Sequence, residues 1–228
     1  MIIANPLIAA LDLEAAQARS LVAALGPSIG FYKVGLELFT AEGPAIVREL
    51  TSGGKQVFLD LKMYDISETV RRAATRAAEL GASLLTVHAH PQVVRAARAA
   101  AEGSQLRILA VTVLTSFNQT DIEDLGVTGR TVPEQVEFLA RKAIDAGADG
   151  LVCSPLEVAR LRTLAGPGAI LVTPGVRSRG ADPGDQKRVA TPADALAAGA
   201  SYLVIGREIT RSADPAAAAR KILAEIGQ

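Results

Sequence analysis

The chain has 228 residues, 49% of them hydrophobic, and its Lys+Arg 24 balance Asp+Glu 24. This length and apolar content suffice for one large core without a second domain, and a formal charge of zero leaves no global field to hold nucleic acid or an anionic membrane. No stretch of about 18 uninterrupted apolar residues occurs, the segment Met1 to Pro6 lacks a basic region, and the single Cys153 allows no internal disulfide, so a cytoplasmic protein with Cys153 as a small core residue is expected.

Short apolar runs rich in branched residues recur along the chain, most of them followed by an Ala-rich amphipathic stretch. A strand over Leu7 to Asp12 leads to a helix over Leu13 to Leu25, and a second strand covers Gly30 to Gly35. The third strand, Gln56 to Lys62, precedes a helix over Ser67 to Leu80, and the fourth, Ser83 to Ala89, precedes one over Gln92 to Ala101. Strands over Arg107 to Leu114 and Gly150 to Ser154 are followed by helices over Pro133 to Ala146 and Leu156 to Leu164. A seventh strand spans Ala169 to Gly175, and an eighth, Tyr202 to Arg207, leads into a short helical turn and a last helix over Pro215 to Ile226. Asp214 before Pro215 reads as an N-cap, and Gly26, Gly81, Gly147 and Gly166 read as helix stops.

Eight strand-and-helix units share the chain at roughly 28 residues each, close to one unit of a barrel of about 250 residues. No hairpin dipeptide joins neighbouring strands. A single α/β domain over residues 1–228, closed as a (β/α)₈ barrel of the TIM type, is therefore expected, with a doubly wound open sheet as second choice. Either architecture binds ligands at the C-terminal ends of the strands, where the polar residues fall.

The third strand ends Phe58-Leu59-Asp60-Leu61-Lys62-Met63-Tyr64-Asp65, three charges closing an apolar run. Buried strands admit charges when these are paired or functional. Asp60 and Lys62 share a face, roughly 6 to 7 Å apart at Cα, and can pair. Asp65 lies beyond the strand, and its i,i+4 spacing to Thr69 predicts that both face one way from the first turn of the next helix.

Lys33 interrupts the second strand, either as a stem packed on apolar neighbours with its ammonium reaching water, or as a second cation beside Asp60. Asp12 can bind a ligand hydroxyl or cap the helix from Leu13. His88 and His90 share a face, but with no carboxylate at ligand spacing a metal reading is weak, and His88 reads better as a polar, hydrogen-bonded barrel residue. Thr115 and Ser116 follow the fifth strand, where hydroxyls can read a ligand edge or simply start a loop. After strands seven and eight, Gly175 with Arg177 and Gly206 with Arg207 favour a phosphate. The loop containing Gly180, Asp182, Pro183, Gly184, Gln186 and Arg188 can act as a lid.

The run Asp60-Leu61-Lys62-Met63-Tyr64-Asp65-Ile66 resembles the Asp-x-Lys-x-x-Asp signature of the orotidine 5′-phosphate decarboxylase family, in its bacterial type 1 form. The signature is shared with sugar-phosphate decarboxylases and synthases of the superfamily, but further landmarks follow in the family's order. These are Ala9 to Asp12, Lys33-Val34-Gly35, Glu42-Gly43-Pro44, Val87-His88-Ala89, Val113 to Ser116, Thr173 to Arg177, Asp185-Gln186 and Gly206-Arg207. The chain departs from the pattern at Ser67, a place usually held by proline, and at His90-Pro91.

The resemblance implies a decarboxylase that makes uridine 5′-phosphate without metal or cofactor. In it Lys33, Asp60 and Lys62 form a charged array completed by Asp65 of a second copy, so that a homodimer shares its active sites. It further implies that Asp12 and Lys33 contact ribose hydroxyls with a second copy's Thr69 nearby, and that Thr115 bonds the pyrimidine. Arg177, Gln186, Gly206 and Arg207 would hold the phosphate, and Lys62 would act as the acid. The alternatives are a metal-dependent sugar-phosphate enzyme of the superfamily, a non-catalytic phosphate-binding barrel, and a Schiff-base enzyme using Lys33 or Lys62.

Overall fold

The computed structural model describes residues 5–178 and 190–227. In chain order the elements are β1 (Leu7–Ala10), α1 (Ala15–Leu25), β2 (Phe31–Gly35), α2 (Leu36–Glu42), α3 (Pro44–Ser52), β3 (Gln56–Met63), α4 (Ser67–Glu79), β4 (Leu84–His88), α5 (Pro91–Ala101) and β5 (Arg107–Val111). They continue with α6 (Gln119–Asp124), α7 (Val132–Asp145), β6 (Gly150–Val152), a 3₁₀ turn (Pro155–Glu157), α8 (Val158–Ala165), β7 (Ile170–Thr173), α9 (Pro192–Ala197), β8 (Tyr202–Ile205), α10 (Arg207–Thr210) and α11 (Pro215–Glu225). All eight strands pair in parallel in chain order, and β8 pairs with β1, closing the sheet. The expected barrel is thus the observed one, and the open doubly wound sheet is not.

Alternation along each strand builds two separate apolar layers. Inward side chains, among them Ile8, Phe31, Phe58, Leu84, Leu109 and Val172, fill the barrel. Outward ones such as Leu7, Val57, Leu85, Ile108 and Leu203 meet the helices through Leu21, Val70, Val94, Val136 and Ile222. Small residues keep the helices close to the sheet: α4 buries Ala74 and Ala77, and α5 buries Ala97 and Ala101. Cys153 is fully buried in the outer layer. Among the described residues no helix is long and apolar enough to cross a membrane.

Most predicted strands are shorter at their C-terminal ends than expected: β1 stops at Ala10 rather than Asp12, β5 at Val111 rather than Leu114, and β7 at Thr173 rather than Gly175. There the chain leaves the ladder to form the barrel mouth. Helix ends follow local chemistry, as Asp214 accepts from Ala217 N at 2.8 Å ahead of Pro215. The expected stops also hold, with Gly26 and Gly166 at the C-caps of α1 and α8. Helices α2, α3, α6 and α9 were not anticipated. The first two are divided by Gly43, whose φ of 60° suits glycine, and by Pro44 at the start of α3. The departures at Ser67 and His90-Pro91 fall at the starts of α4 and α5.

Candidate active site

Two neighbouring strands, β2 and β3, and the turn after β1 bring four charges together at the mouth. Lys33 Nζ lies 2.7 Å from Asp12 Oδ1 and 3.7 Å from Asp60 Oδ2, and Lys62 Nζ donates to the same Asp60 oxygen at 2.9 Å. The array therefore runs Asp12, Lys33, Asp60, Lys62, with alternating sign. Asp60 is buried to 9% exposure, and burying a carboxylate is costly without such partners. Lys33 thus takes the ion-paired role and not that of a packed stem. Asp12 takes the polar role: α1 begins at Ala15 behind Glu14, with no side-chain cap.

Lys62 reaches this position through a backbone device. The register of β3 against β4 shifts between Leu59 and Met63, and Lys62 has φ 46°, the one positive value at a non-glycine among the described residues. Strained backbone of this kind persists where the surroundings over-determine it. Here the determinant is Thr86, fully buried on β4. Its hydroxyl donates to Asp60 Oδ1 at 2.9 Å and accepts from Lys62 N at 2.9 Å. Thr86 escaped the sequence reading. Its signal was a lone hydroxyl in Leu84-Leu85-Thr86-Val87-His88 at the alternation that points inward.

Gly35 completes the arrangement by having no side chain. A Cβ there would stand 2.8 Å from Asp12 Oδ1 and 3.0 Å from Lys33 Nζ, so the ion pair occupies the space a methyl would need.

These groups open onto a cavity of about 500 Å³ with two unlike walls. Asp12, Lys33, Asp60 and Lys62 form the charged wall, and Val111, Val113, Val152 and Val204 form the apolar one. Thr115 also lines the cavity, while Ser116 is exposed. The end beneath β7 and β8 is lined by Gly175, Arg177, Gly206 and Arg207, as expected, and also by Thr210 and Arg211, which were not anticipated. Arg177 Nη1 donates to Val176 O at 2.7 Å. Gln186 lies outside the described residues, as do Gly180, Asp182, Pro183, Gly184 and Arg188.

Asp65 and Thr69 are exposed and do not line this cavity. Their expected common helical face is not formed. Asp65 precedes Ile66, which is extended at the N-cap of α4, and Asp65 Oδ1 accepts from Ile66 N at 2.6 Å. Beside them Tyr64 and Ile66 are 66% and 73% exposed. His88 is half-buried and packs edge-to-face with Tyr64 at 5.5 Å, a ring contact in place of the expected hydrogen bond. Burial first and Lys62 second push its imidazole below the ordinary histidine pKa. His90 has left the strand and sits ahead of α5. No group of three or more His, Cys, Asp or Glu among the described residues is placed to hold a metal.

A single buried carboxylate between two ammonium groups, facing a valine wall and an arginine-lined end, suits a flat ring carrying a charged tail. Residues 5–222 match the model of the family described as Orotidine 5'-phosphate decarboxylase / HUMPS family. The chain belongs to this family. It is 52% identical over 223 residues to the orotidine 5'-phosphate decarboxylase of Rhodopseudomonas palustris (strain BisB5), covering 97% of this chain and 94% of that one. It is 49% identical over 226 residues to that of Methylobacterium sp. (strain 4-46), covering 97% and 95%. Among solved structures, orotidine 5'-phosphate decarboxylase from Lactobacillus acidophilus superposes with a TM-score of 0.87 at 38% identity, covering 98% of this chain and all of that one. Membership of the orotidine 5'-phosphate decarboxylase family accounts for the barrel and for the order of the landmarks along it.

Proposed function

We propose that this protein decarboxylates orotidine 5′-phosphate to uridine 5′-phosphate and carbon dioxide, the last step of de novo UMP synthesis, as a cytoplasmic enzyme of the family's bacterial type 1 branch. The observation that carries the reading is the ladder Asp12, Lys33, Asp60, Lys62 at the barrel mouth, with Lys62 Nζ 2.9 Å from Asp60. Near-full-length identity of about half to decarboxylases supports it over the sugar-phosphate enzymes that share the short signature.

Loss of carbon dioxide from C6 leaves an electron pair in the plane of the ring, where the π system cannot delocalise it. Stabilisation has to come from the protein, and an ammonium fixed beside C6 supplies it and then donates the proton that completes the product. Lys62 takes that role, and Asp60 orients it beside the departing carboxylate. A unit charge pair about 3 Å apart at an effective dielectric of 20 gives about 5 to 6 kcal/mol, roughly four powers of ten in rate. The remainder has to come from interactions distant from C6. Arg177, Gln186, Gly206 and Arg207 hold the phosphate, Thr115 bonds the pyrimidine, and Asp12 with Lys33 contacts the ribose hydroxyls. The chemistry requires neither a metal nor an organic cofactor.

Asp65 and Thr69 act in the site of a second copy, in a homodimer with shared active sites. Their exposure outside the cavity supports this, as does their place at the β3–α4 junction, which also exposes Tyr64 and Ile66; large exposed apolar side chains mark association surfaces. The deciding experiment is incubation of the purified protein with orotidine 5′-phosphate in excess chelator. Release of carbon dioxide with stoichiometric uridine 5′-phosphate is expected, and a turnover that requires added divalent metal would overturn the cofactor-free reading.

A further inference from the structure

We propose that Glu208 is a positioning residue for the arginine-lined end of the cavity, fastening the segment that carries Arg177 to the turn that carries Gly206 and Arg207. The proposal rests on the reading of that end as the phosphate site. Ser178 N donates to Glu208 Oε2 at 3.1 Å, joining two segments 30 positions apart. Glu208 follows Arg207 in the single turn of α10 and does not line the cavity. Its carboxylate is therefore directed at the protein and not at a ligand.

The segment before Ser178 is fixed from a second side. Val176 pairs with Ala190 in a parallel bridge, and Arg177 N donates to Ala190 O at 3.0 Å. Neither contact reaches α10. Beyond the β7–β8 ladder, the Glu208 tie joins the segment after β7 to the turn after β8, and so bears on the spacing of Arg177 and Arg207. Ser178 is 6% exposed, so its amide has little water to turn to, and a buried N–H left without an acceptor is costly. The Ser178 hydroxyl is buried with no hydrogen-bond partner among the described residues. The tie thus runs through the main chain and needs an acceptor at 208, not a charge.

Glutamine keeps that acceptor and alanine removes it. Glu208→Ala is expected to lower kcat/KM for orotidine 5′-phosphate about tenfold, equivalent to about 1.4 kcal/mol, while Glu208→Gln stays within about twofold of the wild type. In an Arg177→Ala background the same Glu208→Ala change is expected to cost less than about twofold, because the spacing it maintains then has nothing to position. If the alanine variant does not fold, Ser178→Pro, which deletes the donating N–H, takes its place in the cycle. An unchanged Glu208→Ala enzyme, an equal loss in both backgrounds, or a glutamine variant as impaired as the alanine would each overturn the proposal. A wild type that fails to turn over orotidine 5′-phosphate would instead remove the functional reading beneath it.

Discussion

The Thr86 hydroxyl donates to Asp60 Oδ1 at 2.9 Å. Because Thr86 Oγ1 also accepts from the Lys62 amide, one buried side chain sets both the carboxylate and the left-handed backbone that turns Lys62 toward it. Thr86→Val keeps the shape and removes both bonds. Turnover is expected to fall about 10- to 100-fold, roughly 1.4 to 2.7 kcal/mol of barrier, with a smaller change in KM. Steady-state kinetics beside a thermal melt checks this, and an unaltered kcat would refute it.

Lys62→Ala is expected to abolish turnover, since no other group would reach the reacting carbon as an acid. On the shared-site proposal Asp65→Ala should be inactive for a different reason, its carboxylate serving the neighbouring copy. Mixing the two dead variants under exchange should restore about a quarter of wild-type activity, as half the dimers are mixed and each carries one intact site. Absence of recovery, with exchange demonstrated, would exclude shared sites.

Gly35→Ala places a methyl where Asp12 and Lys33 meet, 2.8 Å from the Asp12 oxygen. The ion pair has to move while the outer packing layer is untouched. A KM increase on the order of tenfold, or about 1.4 kcal/mol, is expected with a nearly unchanged melting temperature, and measuring both distinguishes local displacement from unfolding.

Arg162 carries the opposite expectation. At the N-terminal side of β7 and β8 its guanidinium donates to Gly199 O, Gly166 O, Ala169 O and Ser201 Oγ at 2.7 to 3.1 Å. Each such bond from a charged donor is worth about 1.5 to 3 kcal/mol where the acceptor is otherwise stranded. Arg162→Ala should cost about 2 to 4 kcal/mol and lower the melting temperature by roughly 5 to 15 °C. Activity per folded molecule should hold, and a preserved melting temperature would contradict the strut.

His88 gives a pH signature. Its folded-state pKa lies below the unfolded value of about 6.5, chiefly through burial and secondarily through Lys62. Above about 6.5 both states hold it neutral and its contribution to stability is fully present. As pH falls through the window down to the folded pKa, the unfolded chain binds the proton first and stability is lost. An NMR titration should place His88 below the ordinary histidine value, and Lys62→Ala should move it upward. A titration at or above the unfolded value would refute both causes.

Eight strands were legible because branched residues recur at barrel spacing, and Asp60, Lys62 and Lys33 were legible because charge is conspicuous in apolar runs. Asp12 stayed ambiguous between cap and ligand, since a carboxylate before a helix suits both; the structure removes the cap, with α1 starting behind Glu14, and pairs Asp12 with Lys33 instead. Thr86 passed unnoticed because a threonine in a strand is ordinary, and its worth lies in two partners on a neighbouring strand. The bend at Lys62 had no local signal at all: no glycine marks it, and its cause is a hydroxyl 24 positions away. The Asp65 to Thr69 spacing misled because a helical period was extended two residues before the helix begins.

The unlike walls of the cavity have a consequence for how this scaffold can change. On the proposed function, proton traffic belongs to Asp12, Lys33, Asp60 and Lys62 from the first three strand ends, whereas Val111, Val113, Val152 and Val204 come from the second half of the circuit. Exchanging those valines for larger or smaller aliphatics would retune which heterocycle is admitted and leave the acid and its counter-ions undisturbed. On that reading selectivity and reactivity sit in separate arcs, and each can drift or be engineered without rewriting the other.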